Sequence, residues 1–204
     1  MFSYIKGTIE AKTQNYIILE TGGIGYKIFM SQTAIEKLEE LGTKKKIYTY
    51  MRVREDDVSI YGFITEEELR MFELLLGVSG IGAKGAVSIL SNITPSSFAL
   101  AVITDDVAKI KSLPGIGVKT AQRIILELKD KLKTTSAISE KTEESNNLEK
   151  IVEEDSKFAE ATAALQVLGY TRKEIEKALN KMDKTLTVEE IIKKGLNNIK
   201  EDKE

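Results

Sequence analysis

Val78-Ser79-Gly80-Ile81-Gly82-Ala83-Lys84-Gly85-Ala86 returns as Leu113-Pro114-Gly115-Ile116-Gly117-Val118-Lys119-Thr120-Ala121. Gly80, Ile81, Gly82, Lys84, Ala86 and Ile89 recur as Gly115, Ile116, Gly117, Lys119, Ala121 and Ile124, each 35 positions later. Each copy is an apolar-Gly-apolar-Gly turn feeding a helix. Glycine lets a backbone approach a partner without Cβ hindrance, and the start of a helix presents free amides where the dipole favours an anion. Lys84 and Lys119 follow two residues after the second glycine. Arg123 lies four residues past Lys119, on the same helical side.

The bland reading is a pair of helix-connecting turns with glycine caps. Two copies in register, each with Lys at the same place, favour a tandem helix-hairpin-helix that grips nucleic-acid phosphates. Such contacts are insensitive to base sequence and sensitive to salt. Two nucleotide motifs are near-misses. Gly80-Ile81-Gly82-Ala83-Lys84-Gly85 matches GxGxxG, but a helical pattern precedes it rather than a strand, and the second copy has Thr120 in place of Gly85. Gly117-Val118-Lys119-Thr120 lacks the glycine that a phosphate-binding loop puts directly before its lysine. No intrinsic ATPase is expected.

Residues 1–63 read as β. Segments 2–11, 16–21, 24–30, 46–53 and 58–63 are rich in β-branched and aromatic residues, and Gly22-Gly23 and Gln14-Asn15 supply turns. A short helix near residues 33–41, with Thr33 and Glu36 as capping box, falls between the third and fourth strands. That order is an OB-fold barrel. Residues 64–133 read as helices: Thr65 and Glu68 form a capping box, and Thr94-Pro95 is a helix start. Residues 134–155 hold seven acidic and two basic groups with few apolar ones. They are expected to form a flexible acidic linker. Three short helices follow in 156–204, with Thr171/Glu174 and Thr187/Glu190 capping the last two. The expected class is therefore α+β multidomain: an OB-fold β-barrel, a tandem helix-hairpin-helix domain, an acidic linker and a three-helix module.

Composition narrows the chemistry. The 204 residues include no Cys and no His, and 42% are hydrophobic. Disulfides, thiolate metal sites and the commonest general base are excluded. The net charge of -2 comes from the linker, and the bodies on either side are nearly neutral. DNA affinity then needs a local patch or several subunits acting together. No apolar run approaches the roughly 20 residues of a membrane span, and the N-terminus is no signal peptide, so a soluble cytoplasmic protein is expected.

Arg52-Val53-Arg54-Glu55-Asp56-Asp57 sits between the last two strands. Three consecutive carboxylates there are a solvated hairpin tip, or a metal site for junction or repair nuclease chemistry. Leu165, Leu168, Gly169 and Tyr170 stand out in the C-terminal module. Leu168-Gly169-Tyr170 fits core packing with a glycine cap. It also resembles the Met-Gly-Phe/Tyr loop of ubiquitin-associated domains, which implies a UBA-like fold that binds another protein.

With these parts in this order, the whole chain resembles the RuvA family, the Holliday junction branch migration complex subunits of bacteria. The most specific stretches are Val53-Arg54-Glu55-Asp56, Tyr61-Gly62-Phe63, Leu113-Pro114-Gly115-Ile116-Gly117, Lys119-Thr120-Ala121 and Leu168-Gly169-Tyr170. The resemblance implies a homotetramer or octamer that holds a four-way DNA junction open, without cofactor. It assigns Ser79, Gly80, Gly82 and Lys84 to one DNA-binding hairpin, and Gly115, Gly117, Lys119, Thr120 and Arg123 to the other. Glu55 and Asp56 match a non-catalytic acidic pin at the crossover. The C-terminal module would dock the AAA+ ATPase RuvB through Leu165, Leu168, Tyr170 and Leu196, and the RuvC resolvase would share the junction. The chain departs from the family at Ala83, often Pro, and at Val118, often Lys.

Overall fold

A computed structural model describes residues 2–139, 156–180, 182–183 and 186–201. Five strands form a closed barrel: β1 (Tyr4–Lys12), β2 (Tyr16–Thr21), β3 (Ile24–Phe29), β4 (Lys44–Val53) and β5 (Val58–Phe63). Their order around the barrel is β1-β2-β3-β5-β4, with β3 and β5 parallel and β4 closing on β1. Period-two alternation buries Ile5 and Ile9 of β1, Ile17 and Leu19 of β2, Ile28 of β3 and Ile47 of β4. Gly62 faces the same interior, where a Cβ would sit 2.8 Å from Ile47 Cγ2.

The helix between β3 and β4, α1 (Gln32–Glu36), is shorter than expected and starts earlier. Its cap is Ser31 rather than Thr33. The Ser31 hydroxyl accepts from the Ala34 amide at 3.2 Å, and its carbonyl accepts from Ala34 and Ile35. Serine two residues upstream thus satisfies the amides that a Thr33 cap would have left free. Strand β4 starts at Lys44, two residues before the expected limit, because Lys44 and Lys45 pair with Thr8 and Gly7.

The remaining described helices are α2 (Glu66–Leu76), α3 (Ala83–Leu90), α4 (Pro95–Ile103), α5 (Val107–Lys111), α6 (Val118–Ser139), α7 (Ser156–Val167), α8 (Arg172–Leu179) and α9 (Val188–Glu201). Thr94 caps α4, with Pro95 in its first turn, as the sequence predicts. At α2, Thr65 Oγ1 accepts from the Glu68 amide, but the Glu68 carboxylate reaches back to the Ile64 amide, one residue before the expected box.

The chain forms two compact units, Met1–Leu76 with Gly82–Asn92, and Gly77–Ile81 with Ile93–Glu204. In the first, Phe72 of α2 packs on the outer barrel face, with ring centroids 4.9 Å from Phe63, 5.4 Å from Tyr61 and 5.3 Å from Tyr50. In the second, Phe98, Val102, Ile110, Ile124 and Leu128 are buried. The C-terminal module belongs to this unit: α7 and α9 pack on α4. Ser97 Oγ donates to a Glu189 carboxylate oxygen at 2.9 Å across that contact. Helix α6 runs to Ser139, six residues past the expected domain limit at 133. Most of the predicted linker, 140–155, lies outside the described residues.

Candidate nucleic-acid interface

The two glycine turns share one geometry. In the first, the Val78 carbonyl accepts from the Ile81 amide at 3.1 Å; in the second, Leu113 accepts from Ile116 at 3.1 Å. Gly80 at φ +92° and Gly115 at φ +76° hold the third position of each four-residue turn. A positive φ there is the type II signature, and Pro114 precedes Gly115 as that turn prefers. The apolar residues Val78 and Leu113 are buried and anchor the turns. The Gly82 carbonyl then accepts from Ala86 and the Gly117 carbonyl from Ala121, each at 2.9 Å, opening α3 and α6.

The second glycine of each pair behaves differently. Gly82 has φ -96° and ψ 171°, extended values open to any residue. A Cβ built on Gly82 or Gly117 meets nothing within 4 Å. Neither the local backbone nor internal packing requires glycine there. Capping would favour another residue: Ser31, Thr94, Asp106 and Thr171 each use a side-chain oxygen to cap their helices, whereas Gly82 offers none. The first amides of α3 and α6 therefore lack a side-chain cap from the glycine, and nothing from that residue stands in front of them.

Lys84 and Lys119 are exposed on the first turns of these helices, and Thr120 beside Lys119 is half-buried. Arg123 does more than follow the second turn. Its Nη1 donates to the Ser79 carbonyl at 3.3 Å, bracing the first turn from α6. A guanidinium has five donors, so one such bond leaves others for an anion. Of the two departures, Ala83 is buried and Val118 is 45% exposed.

The tip between β4 and β5 places Glu55 and Asp56 in solvent. The Arg54 amide donates to the Asp57 carbonyl at 2.8 Å and closes the turn. The Asp57 carboxylate is occupied differently, accepting from the Ser59 hydroxyl. Among the described residues no group of three His, Cys, Asp or Glu could hold a metal. The three carboxylates lie exposed on a turn, and this arrangement lends no support to a nuclease centre.

The residues expected to meet a partner are placed otherwise. Leu165 and Leu168 are fully buried, and Tyr170 and Leu196 are 5% and 8% exposed. Gly195 of α9 explains part of this: a Cβ there would lie 3.1 Å from both Leu165 and Leu179. Close helix approach locks Leu165 in the core of the module, so these four side chains hold its shape and present little surface. Gly169, at φ +83°, turns the chain after α7 as a glycine cap.

Comparison with known proteins covers most of the length. Residues 1–62 match the family model described as RuvA N terminal domain, residues 72–130 the SAM-like helix-hairpin-helix tandem, and residues 156–200 the RuvA C-terminal domain. A relative from Acetivibrio thermocellus, named Holliday junction branch migration complex subunit RuvA, is 49% identical over 98% of this chain and 98% of its own. Relatives of the same name from Ruminiclostridium cellulolyticum and Clostridium perfringens are 47% and 44% identical. They cover 98% and 96% of this chain, and 100% and 98% of their own lengths.

Proposed function

The chain belongs to the RuvA family of Holliday junction branch migration complex subunits, and from that premise we propose that it grips junction arms through two bare helix starts. The observation that carries this reading is the pair Gly82 and Gly117. Both are glycine without an internal reason, and both stand in front of uncapped amides beside an exposed lysine. A phosphate approaching there gains amide hydrogen bonds and the helix field together. Lys84 and Lys119 add charge, and Arg123 keeps the first turn in place. These contacts read no bases, so selection for a junction comes from geometry.

Two lysines and one arginine are few for a strong monomeric binder on near-neutral domains. A homotetramer or octamer multiplies them, each subunit holding part of an arm. Glu55 and Asp56 act at the crossover as a non-catalytic pin. A carboxylate about 4 Å from a phosphate, at a surface-like dielectric, is repelled by about 4 kcal/mol. That is enough to bias strands apart. The chain itself performs no hydrolysis. The C-terminal module recruits the RuvB ATPase with its exposed faces, shaped by Leu165, Leu168, Tyr170 and Leu196 beneath, and RuvC acts on the same junction.

The test is binding to a four-way junction and to linear duplex of the same sequence, by gel shift at fixed salt. A clear preference for the junction is expected. Equal affinity for both would sink the proposal.

A further inference from the structure

The outer face of β1 and β4 carries a cluster that the hairpins and the pin leave unused. Register pairs Tyr4 with Tyr48, Lys6 with Lys46, and Thr8 with Lys44. Alternation sends all of them outward, because Ile5, Ile9 and Ile47 between them are buried. Helix α2 covers the neighbouring part of this outer face at Tyr50, Tyr61 and Phe63. Tyr4 is 53% exposed, Tyr48 is half-buried, and the three lysines are exposed.

Lys46 is placed unlike a solvated surface charge. Lys46 Nζ lies 4.5 Å from the Tyr4 ring centroid and 4.6 Å from that of Tyr48. Its position between two aromatic rings fixes a charge that would otherwise sweep through solvent. Among the described residues no carboxylate pairs with Lys6, Lys44 or Lys46. The nearest acids in register lie at the far end: Glu10 beyond Thr8, and Glu20, whose carboxylate accepts from the Gly23 amide.

We propose that the Tyr4, Lys6, Lys44, Lys46 and Tyr48 face of the barrel binds a single, unpaired nucleic-acid strand. Lys44 and Lys46 follow one another along β4, with Lys6 across from Lys46, so their charges can meet neighbouring phosphates, and an exposed ring offers a stacking surface to an unstacked base. A duplex would use the charges but not the rings, because its bases are already stacked. This site is separate from the hairpins and does not depend on their reading.

The test uses the full chain and a fluorescein-labelled oligothymidylate, followed by anisotropy across a salt series. Measurements are made in a Gly82→Ala, Gly117→Ala background, so that hairpin binding does not mask the barrel. Tyr4→Ala is expected to weaken binding about fivefold or more, and Tyr4→Phe to retain it. Lys6→Gln, Lys44→Gln and Lys46→Gln together should lower the slope of log affinity against log salt by about two. Thermal melts confirm that each variant is folded. Oligothymidylate affinity and salt slope unchanged in the patch variants would overturn the proposal. So would a fall in solution mass with strand binding intact, which would make this face a contact between copies of the chain. Loss of junction preference in the hairpin variants alone bears only on the hairpins.

Discussion

Replacing Gly117 with Ala separates what the turn needs from what a ligand needs. Gly115, two residues earlier, sits at φ +76°. An alanine there enters the left-handed region at a cost of about 1–2 kcal/mol. Gly117 has no such demand, and a Cβ meets nothing within 4 Å. As the residue preceding the helix it caps slightly better than alanine, so Gly117→Ala costs about 0.5–1 kcal/mol. That corresponds to a few degrees of melting temperature at most. The binding effect should be larger. A methyl group in front of the α6 amides displaces a phosphate from charge-assisted hydrogen bonds, each contributing about 1.5–3 kcal/mol. Affinity then falls about 10- to 150-fold for each bond removed, and the effect grows when several subunits share one junction. Anisotropy with a labelled four-way junction, paired with thermal melts of Gly115→Ala and Gly117→Ala, reads both effects. Gly117→Ala should melt close to the parent and bind poorly. A Gly117→Ala protein that binds the junction like the parent would refute the reasoning and reduce both turns to connectors.

Lys84→Gln and Lys119→Gln should each reduce the salt slope of junction binding by about 0.9 for every phosphate left unneutralised, without favouring any base sequence. An unchanged slope would show that these ammonium groups face solvent. Glu55→Gln with Asp56→Asn should leave junction affinity equal or tighter while slowing motor-driven strand separation in a branch-migration assay; weaker binding would mean the tip holds DNA instead of repelling it. In the C-terminal module, the Thr187 backbone amide, followed by its hydroxyl, holds the Glu190 carboxyl below its usual range. A depressed carboxylate stabilises the fold above its unfolded pKa, and that contribution is lost as pH falls through the folded value. Acid unfolding of α9 should therefore shift in Glu190→Gln, whereas a superimposable pH profile would count against the cap.

The doubled turn was legible because glycine spacing encodes backbone conformation directly. Gly80 and Gly115 are needed at positive φ whatever surrounds them. The barrel was legible from composition: β-branched and aromatic residues crowd 16–21 and 58–63 and mark strands before any pairing is known. Other features are set by competition that one strand or helix does not reveal. Ser31 and Thr33 are both good caps, and the amides of Ala34 and Ile35 decide between them. Thr134, Thr135 and Ser136 read as linker by composition, yet each residue added to α6 needs only one more hydrogen bond once the helix is nucleated. Leu165 and Leu168 have the same apolar character whether they face a partner or a core; both are buried, and for Leu165 the close approach of Gly195 from α9 is what the sequence of α7 alone does not show. The Tyr4–Lys46–Tyr48 cluster joins residues over forty positions apart, so its signal was present as alternation but its assembly required the β1–β4 register.

The path of the chain between its two units carries a consequence for how the protein can be divided. Between Leu76 and Ile93 the backbone passes from one unit to the other three times. A cut at residue 63, where the last barrel strand ends, leaves Tyr50, Tyr61 and Phe63 without Phe72 and exposes an aromatic surface. The first hairpin is thus divided along the sequence and is not an appended module, and barrel fragments meant to fold alone must carry α2 and α3 with the strands.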